Sequence, residues 1–408
     1  MDRRKFLQQA ACLGFGATTA PSLARAETAE PAAENPKLST PVAPKYLPEV
    51  RKIKPPKLEA SHLGKKILCH RPMRRGSPNM SVKRNNNKVI AHNYGHGGSG
   101  WTLAPGSASY VNDMLLASEY AKDIEKNTPI AVLGAGALGL FTAFDLKQRG
   151  YDNITVIAEK FEGLTSHNAG GLLAPVSMDN DPEMQKLIDK IGIDAYKFYS
   201  EIAQNKHSIF NDGAIIVPAY FENRKSSGLE PYVGAVIKPA NDVILDFYNG
   251  TKRNMVAYDD GIFIDTQKMM ASLDRYLKRA NVKFVRTSVK SFDEIEEKFI
   301  FNCSGLGSAD LNADGKMVSV QGHLIMLKEQ NPKDLKYMIL VYFEDGKTKL
   351  EQTVKRSFYI FPKHLSNTGP NDVGIIGGTF IEGATTRTPN QEEFDILLRG
   401  AKNFYGLA

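Results

Sequence analysis

Pro129-Ile130-Ala131-Val132-Leu133-Gly134-Ala135-Gly136-Ala137-Leu138-Gly139 is the stretch that decides the fold of this chain. Pro129 to Leu133 is a short apolar run that reads as a buried parallel strand, with the glycines at its end. Leu140 to Arg149 carries apolar residues at helical spacing and stops at Gly150, a residue suited to the position just past a helix. Ile154 to Ile157 reads as the next strand, and Glu159 closes it at about the 20-residue offset where an acid accepts hydrogen bonds from an adenosine ribose. Each glycine has a physical task. Gly134 permits the tight turn, Gly136 lets backbone amides approach a pyrophosphate, and Gly139 lets helix and strand pack closely, with the helix dipole favouring the phosphate charge. These features alone leave NAD and FAD undistinguished.

Upstream lies His92-Asn93-Tyr94-Gly95-His96-Gly97-Gly98-Ser99-Gly100-Trp101-Thr102. This segment closely resembles one near the carboxyl end of the D-amino-acid oxidases, a family of flavoenzymes. The run Lys160-Phe161-Glu162-Gly163-Leu164-Thr165-Ser166-His167-Asn168-Ala169-Gly170-Gly171-Leu172 is similar to the family segment that wraps the flavin. Phe301-Asn302-Cys303-Ser304-Gly305 resembles the strand end beneath the cofactor, and Gln321-Gly322 the turn that follows. Tyr359-Ile360-Phe361-Pro362 and Gly377-Gly378-Thr379-Phe380 match two strands of the family's substrate domain, and His70-Arg71-Pro72-Met73-Arg74 resembles its Arg-Pro-x-Arg segment. The order is swapped, since a family tail stands ahead of a family head. The resemblance therefore implies a circular permutation, which a fold survives when its old ends lie close together. The old break would be sealed by an amphipathic helix from Ser107 to Ile124. The new break would fall between a carboxy-terminal helix, Gln391 to Tyr405, and a strand near Lys65 to Cys69.

The fold class expected is α/β: a Rossmann-like FAD-binding domain with a parallel sheet, plus a substrate domain on a large mixed or antiparallel sheet, in permuted order. Residues 86–185 and 255–315 would form the FAD-binding domain, and residues 59–85, 186–254 and 316–408 the substrate-binding domain. The resemblance also assigns roles. FAD would be held by Gly134, Gly136, Ala137, Leu138 and Gly139 at the fingerprint, and by Glu159, Lys160 and Val289 towards the adenosine end. Thr165 and Ser166 would meet the phosphates, while Gly170, Gly171, Leu172 and Ser304 would lie beside the ring system. Amides of Gly97, Ser99, Gly100, Trp101 and Thr102 would approach the flavin pyrimidine oxygen.

For substrate, Arg71 would bind a carboxylate as a two-pronged guanidinium, a geometry that lysine cannot reproduce. Tyr359 would add a hydroxyl donor, and Gly98 would offer its carbonyl to the amine. Oxidation at the α-carbon moves a hydride to flavin N5, so orientation is the protein's main contribution. The implied activity is oxidation of D-amino acids to imino acids, with O2 as acceptor and H2O2 as product. A dehydrogenase passing electrons to a membrane carrier, and a flavin-binding protein without turnover, are the alternatives. Three departures bear on substrate. Lys355 stands where the family often has a second tyrosine, Phe380 stands where the acidic-substrate branch carries arginine, and Ser99 and Trp101 alter the motif. Phe380 favours a neutral side chain.

The amino end carries an address. Arg3-Arg4-Lys5-Phe6-Leu7 starts a twin-arginine signal, Leu13 to Ala20 is weakly apolar, and Ala24-Arg25-Ala26 offers a small-residue cleavage site. The stretch is too short to span a bilayer. A periplasmic protein exported folded by the twin-arginine machinery is expected, without stable membrane insertion and with a homodimer left open. Residues 27–58 are rich in proline and read as an extended tether or a surface arm.

At 408 residues, 42% apolar and 24% charged, the chain can bury one large core or two domains. Removing residues 1–26 takes away four basic and one acidic side chain, which lowers the formal charge from +7 to +4. That balance does not argue for nucleic acid, although Arg51 to Lys88 holds twelve Lys and Arg against the single acid Glu59. Cys69 and Cys303, left after the signal, sit in apolar settings that suit free buried thiols. No metal site is expected. His92 and His96 are four apart, but the glycines around them oppose a shared helix face.

Overall fold

The computed structural model describes residues 48–176, 178, 180–364 and 368–407; the expected signal at 1–26 and residues 27–47 lie outside the described residues. Among the described residues the strands form sheets of six, nine and two. The six-stranded sheet runs in the order Lys283–Arg286, Ile154–Ala158, Ile130–Leu133, Phe299–Asn302, Lys88–Tyr94 and Asn79–Asn85. Its first five strands are parallel, and Asn79–Asn85 is antiparallel at the edge. The central strands are buried along their whole length and apolar apart from Thr155 and Asn302, as both faces of a parallel sheet require.

Helix Ala137–Gln148 leaves the Ile130–Leu133 strand, and helix Gly100–Leu116 leaves Lys88–Tyr94; the two pack side by side on one face. The other face is closed by Phe292 and Ile295 against Ile90, Ala131 and Leu133. Helix Pro182–Ala203 starts at Asp181, whose carboxylate accepts the amides of Glu183 and Met184 at 3.1 and 2.8 Å, with Pro182 at the first helical position. It packs on Gly100–Leu116 at Gly106, where a Cβ would come within 2.2 Å of the Ile191 carbonyl oxygen.

The Gly100–Leu116 helix begins a full two turns before the expected start at Ser107 and ends at Leu116, short of Ile124. Pro105 lies within the helix. Proline cannot donate to the carbonyl four residues back, that of Trp101. The Tyr199 hydroxyl donates to that carbonyl instead, at 2.9 Å. A tertiary partner thus supplies what the local sequence lacks.

The nine-stranded mixed sheet runs in the order Glu49–Lys52, Asn241–Asp246, Lys252–Tyr258, Ala219–Phe221, Met338–Lys347, Thr353–His364, Val373–Glu382, Met317–Leu327 and Leu63–Arg74. Helix Gln391–Tyr405, at the expected bounds, covers one face around Phe394, Leu397 and Phe404. The proline-rich arm lies on this body from Pro48 onward, adding Glu49–Lys52 as an edge strand and burying Ile53 and Leu58. Three elements fall across the expected domain boundaries. Asn79–Asn85 joins the six-stranded sheet because Asn86, at φ 52°, turns the chain back on itself, while Lys252–Tyr258 extends into the nine-stranded sheet and Pro182–Ala203 packs with the helical layer. Cys69 and Cys303 are buried free thiols. No helix of the described residues is long and apolar enough to cross a membrane.

Candidate active site

The carboxyl ends of three adjacent parallel strands, at Leu133, Asn302 and Tyr94, meet at one edge of the six-stranded sheet. Gly134 sits there at φ 115°, and a Cβ on it would lie 2.3 Å from the Cys303 carbonyl oxygen. A Cβ on Gly139 would lie 1.9 Å from the Gly134 oxygen. Both positions demand glycine, for backbone conformation in one case and for close strand–helix approach in both. Gly136 opens helix Ala137–Gln148 without a side-chain cap, and Ala137 and Leu138 form its first turn. This is a cradle of backbone amides at the positive end of a helix, and it fits the pyrophosphate of a dinucleotide such as FAD. Glu159 and Lys160 are exposed just past the Ile154–Ala158 strand. The Thr287 amide donates to Ala158 at 3.1 Å, which carries the chain to half-buried Val289.

A second helix terminus stands beside the first. Gly97–Ser99 forms one 3-10 turn that leads into Gly100–Leu116, so two neighbouring helices present their amino ends along the same strand edge. Each favours negative charge. Asn302 clips the strand ends together: its amide nitrogen meets the His92 ring at 3.2 Å, and its oxygen accepts from the Ser304 amide and hydroxyl at 3.2 and 2.7 Å. Burial pushes the His92 ring down to about 4 and that of His96 to about 3, so both are neutral at ordinary pH. His96 and Asn93 are buried with no partner on any side-chain polar atom, among the described residues. Orphaned polar atoms at this edge agree with a site built for a polar group.

The crossing loop from Thr165 to Val176 ties these parts together. Ser166 accepts the Ala137 amide on its hydroxyl at 3.0 Å and the Trp101 indole N–H on its carbonyl at 2.9 Å. Ser99 and Thr102 donate to the carbonyls of Val176 and Ala174, at 2.6 and 2.9 Å. Thr165 stands towards the other sheet, donating to the His70 carbonyl at 2.9 Å. Its hydroxyl is thus turned away from the helix end that Ser166 occupies. Gly171, at φ 101°, takes the Ile264 amide on its carbonyl at 2.7 Å, and Leu172 bridges to Phe263. Gly170 lies so close to Phe361 that a Cβ would come within 2.8 Å of the ring.

Arg71 and Tyr359 come together on the nine-stranded sheet although two strands separate theirs. The intervening strands present glycine at the crossing point. A Cβ on Gly322 would lie 2.7 Å from the Arg71 guanidinium, and one on Gly377 would lie 2.1 Å from the Tyr359 ring. Both side chains therefore lie along a floor without side chains. Arg71 donates to the Thr379 carbonyl at 2.9 Å, and among the described residues no carboxylate lies within ion-pair reach of it. Burial pushes the Tyr359 phenol well up, and the facing Arg71 cation opposes this. The Tyr359 ring stacks on Phe361, with centroids 4.5 Å apart at 10°. Gly98 is exposed in its turn. The sequence reading missed the glycine floor and the Thr379 carbonyl, although paired glycines inside a strand are themselves a signal of close approach.

The family described as FAD dependent oxidoreductase, DAO, matches residues 129–406. Similar solved structures include glycine oxidase from Geobacillus kaustophilus, at 15% identity over 68% of this chain and 77% of that one, with a TM-score of 0.49. L-proline dehydrogenase from P. horikoshii shares 15% identity over 69% and 78%, with a TM-score of 0.47. L-amino acid deaminase from Proteus vulgaris shares 11% over 70% and 76%, with a TM-score of 0.46. With the glycine cradle, Glu159 and the crossing loop all inside the matched span, the chain belongs to the DAO family of FAD-dependent oxidoreductases.

Proposed function

We propose that this protein oxidises D-amino acids with neutral side chains to imino acids, using FAD and passing the electrons to O2 to give H2O2. The observation that carries this reading is the half-buried Arg71 guanidinium, without a carboxylate partner among the described residues and facing Tyr359 over the glycine floor. Such a cation is poised for the carboxylate of a small ligand. Bound FAD supplies the acceptor for the hydride that leaves the α-carbon. The chain's own share is positional. Arg71 and the Tyr359 hydroxyl fix the carboxylate, Gly98 offers a carbonyl to the amine, and burial of Tyr359 keeps water from the carboxylate contact.

Phe380 stands in an apolar cluster with Met73, Val318 and Val320, near Arg71 on the same sheet, which supports a neutral rather than an acidic substrate side chain. Lys355 is exposed opposite Asp345, a setting that suits a solvated lid residue. The reading includes a circular permutation, supported by the parallel pairing of Lys88–Tyr94 with Phe299–Asn302 and by the start of the family match at residue 129, after the His92–Thr102 segment. It also includes export, supported by the twin-arginine pattern alone, to the periplasm as a folded protein.

The test is a peroxide assay over paired D- and L-amino acids. Turnover of neutral D-amino acids with one peroxide per substrate is expected. Preference for L-amino acids would overturn the stereochemical part, and substrate loss without peroxide would favour a dehydrogenase.

A further inference from the structure

Lys363 is fully buried, two residues beyond Phe361 on the Tyr359 strand. Its ammonium donates to the carbonyls of His167 and Ala169, at 3.1 and 2.9 Å, and to the Thr266 hydroxyl. The Thr266 oxygen itself lies 3.1 and 3.3 Å from the same two carbonyls. Lysine and threonine thus grip the last carbonyls of helix Thr165–Asn168 and the residue after it. On either side of this grip the loop holds the fingerprint helix through Ser166 and packs against Phe361 through Gly170. Nothing in the proposed chemistry requires a cation at this place.

We infer that Lys363 is a positioning residue for the cofactor: it pins the Thr165–Gly171 loop from the substrate-sheet side, so that the loop is set before FAD binds. Burying an ammonium without a paired carboxylate costs stability, so a purely architectural site would be better served by an apolar side chain. The titratable groups that act on it are Asp265, which caps helix Thr266–Arg279, and His167 from the loop. Burial lowers the Lys363 pKa to about 8, with Asp265 opposing. Charged, the lysine donates three hydrogen bonds and leaves the Thr266 proton free for a loop carbonyl. Neutral, it keeps two N–H groups and draws the threonine proton to its lone pair. Deprotonation therefore removes one donor from the loop.

Trp101 is the chain's only tryptophan and donates to Ser166 in this loop, so its emission reports the loop's position. The test titrates full-length apo-protein with FAD and reads Trp101 quenching. Lys363→Met should weaken FAD binding by about tenfold or more, the loss expected when hydrogen bonds that order a site disappear. The melting temperature of the apo-protein should hold or rise. Wild-type affinity should fall as pH rises past about 8, and the variant should be flat there. Thr266→Val should give a smaller loss in the same direction. The inference is overturned if Lys363→Met binds FAD within about twofold of wild type, if apo-protein melting falls in step with affinity, or if the alkaline fall persists in the variant.

Discussion

Trp101 and Ser166 are joined by an indole N–H donating to a carbonyl at 2.9 Å, and the Ser166 hydroxyl in turn takes the first amide of the fingerprint helix at Ala137. Two stretches that stand apart in the sequence, around residues 100 and 137, are thereby linked through a third. This serine adds a polar link at the amino ends of two helices that already pack side by side. A loop already tied to both helix ends has less to order when a ligand binds there.

Arg71 is the group on which substrate affinity is expected to rest. Arg71→Ala should weaken substrate binding by about 2–4 kcal/mol, since two charge-assisted hydrogen bonds leave a shielded site. The Michaelis constant should rise steeply while FAD content stays at the wild-type level. An unchanged constant would remove Arg71 from the pocket.

The glycine floor makes a sharper prediction. Gly322→Ala inserts a methyl 2.7 Å from the Arg71 guanidinium, the far end of a flexible side chain that can move aside. The fold should survive, and the arginine should not keep its place. A rise of about tenfold in the Michaelis constant, roughly 1.4 kcal/mol, is expected with little change in melting temperature. Wild-type kinetics in this variant would show that the floor is incidental.

The fingerprint strand and helix and the Gln391–Tyr405 helix were legible because each rests on local rules: apolar period, glycine position and capping. Other features rest on contacts far apart in the chain. The start of helix Gly100–Leu116 depends on Tyr199, a residue about a hundred positions away that satisfies the carbonyl Pro105 leaves free. The turn of the Thr165 hydroxyl towards His70 depends on how the two sheets approach each other. The meeting of Arg71 with Tyr359 depends on the order of four strands. A sequence shows which residues can do chemistry more readily than which of them will touch.

Tyr199→Phe tests the Pro105 arrangement. Without its hydroxyl the Trp101 carbonyl is left buried and unpaired, at a cost of about 1–3 kcal/mol. The urea midpoint should fall by a corresponding amount. A second substitution, Pro105→Ala, restores a backbone donor at the right place, so the double variant should recover part of the loss. Equal stability of Tyr199→Phe and wild type would mean that the carbonyl finds another donor.

Glu159 lies exposed beyond its strand and contributes little to packing. Glu159→Ala should therefore loosen FAD and leave the apo-protein's melting temperature unaltered. Flavin retained in full after dilution and gel filtration would count against its ribose role.

Acid should destabilise this protein before its carboxylates titrate. His92, His96 and His323 are each almost wholly buried, and burial lowers their pKa values to about 4, 3 and 4. In the unfolded chain the same rings titrate near 6.5 (approximately the model-peptide value). Above that pH both states are neutral and the histidines make no difference. Below it the unfolded state binds the extra protons, so stability falls as pH drops through the window between the unfolded and folded values. Each ring contributes a slope of up to about 1.4 kcal/mol per pH unit. Urea midpoints measured from pH 7.5 to 5 should decline, and His323→Asn, which keeps a polar group near Thr379, should flatten part of that decline. A midpoint that stays level across this range would mean that the buried rings take up protons in the folded state.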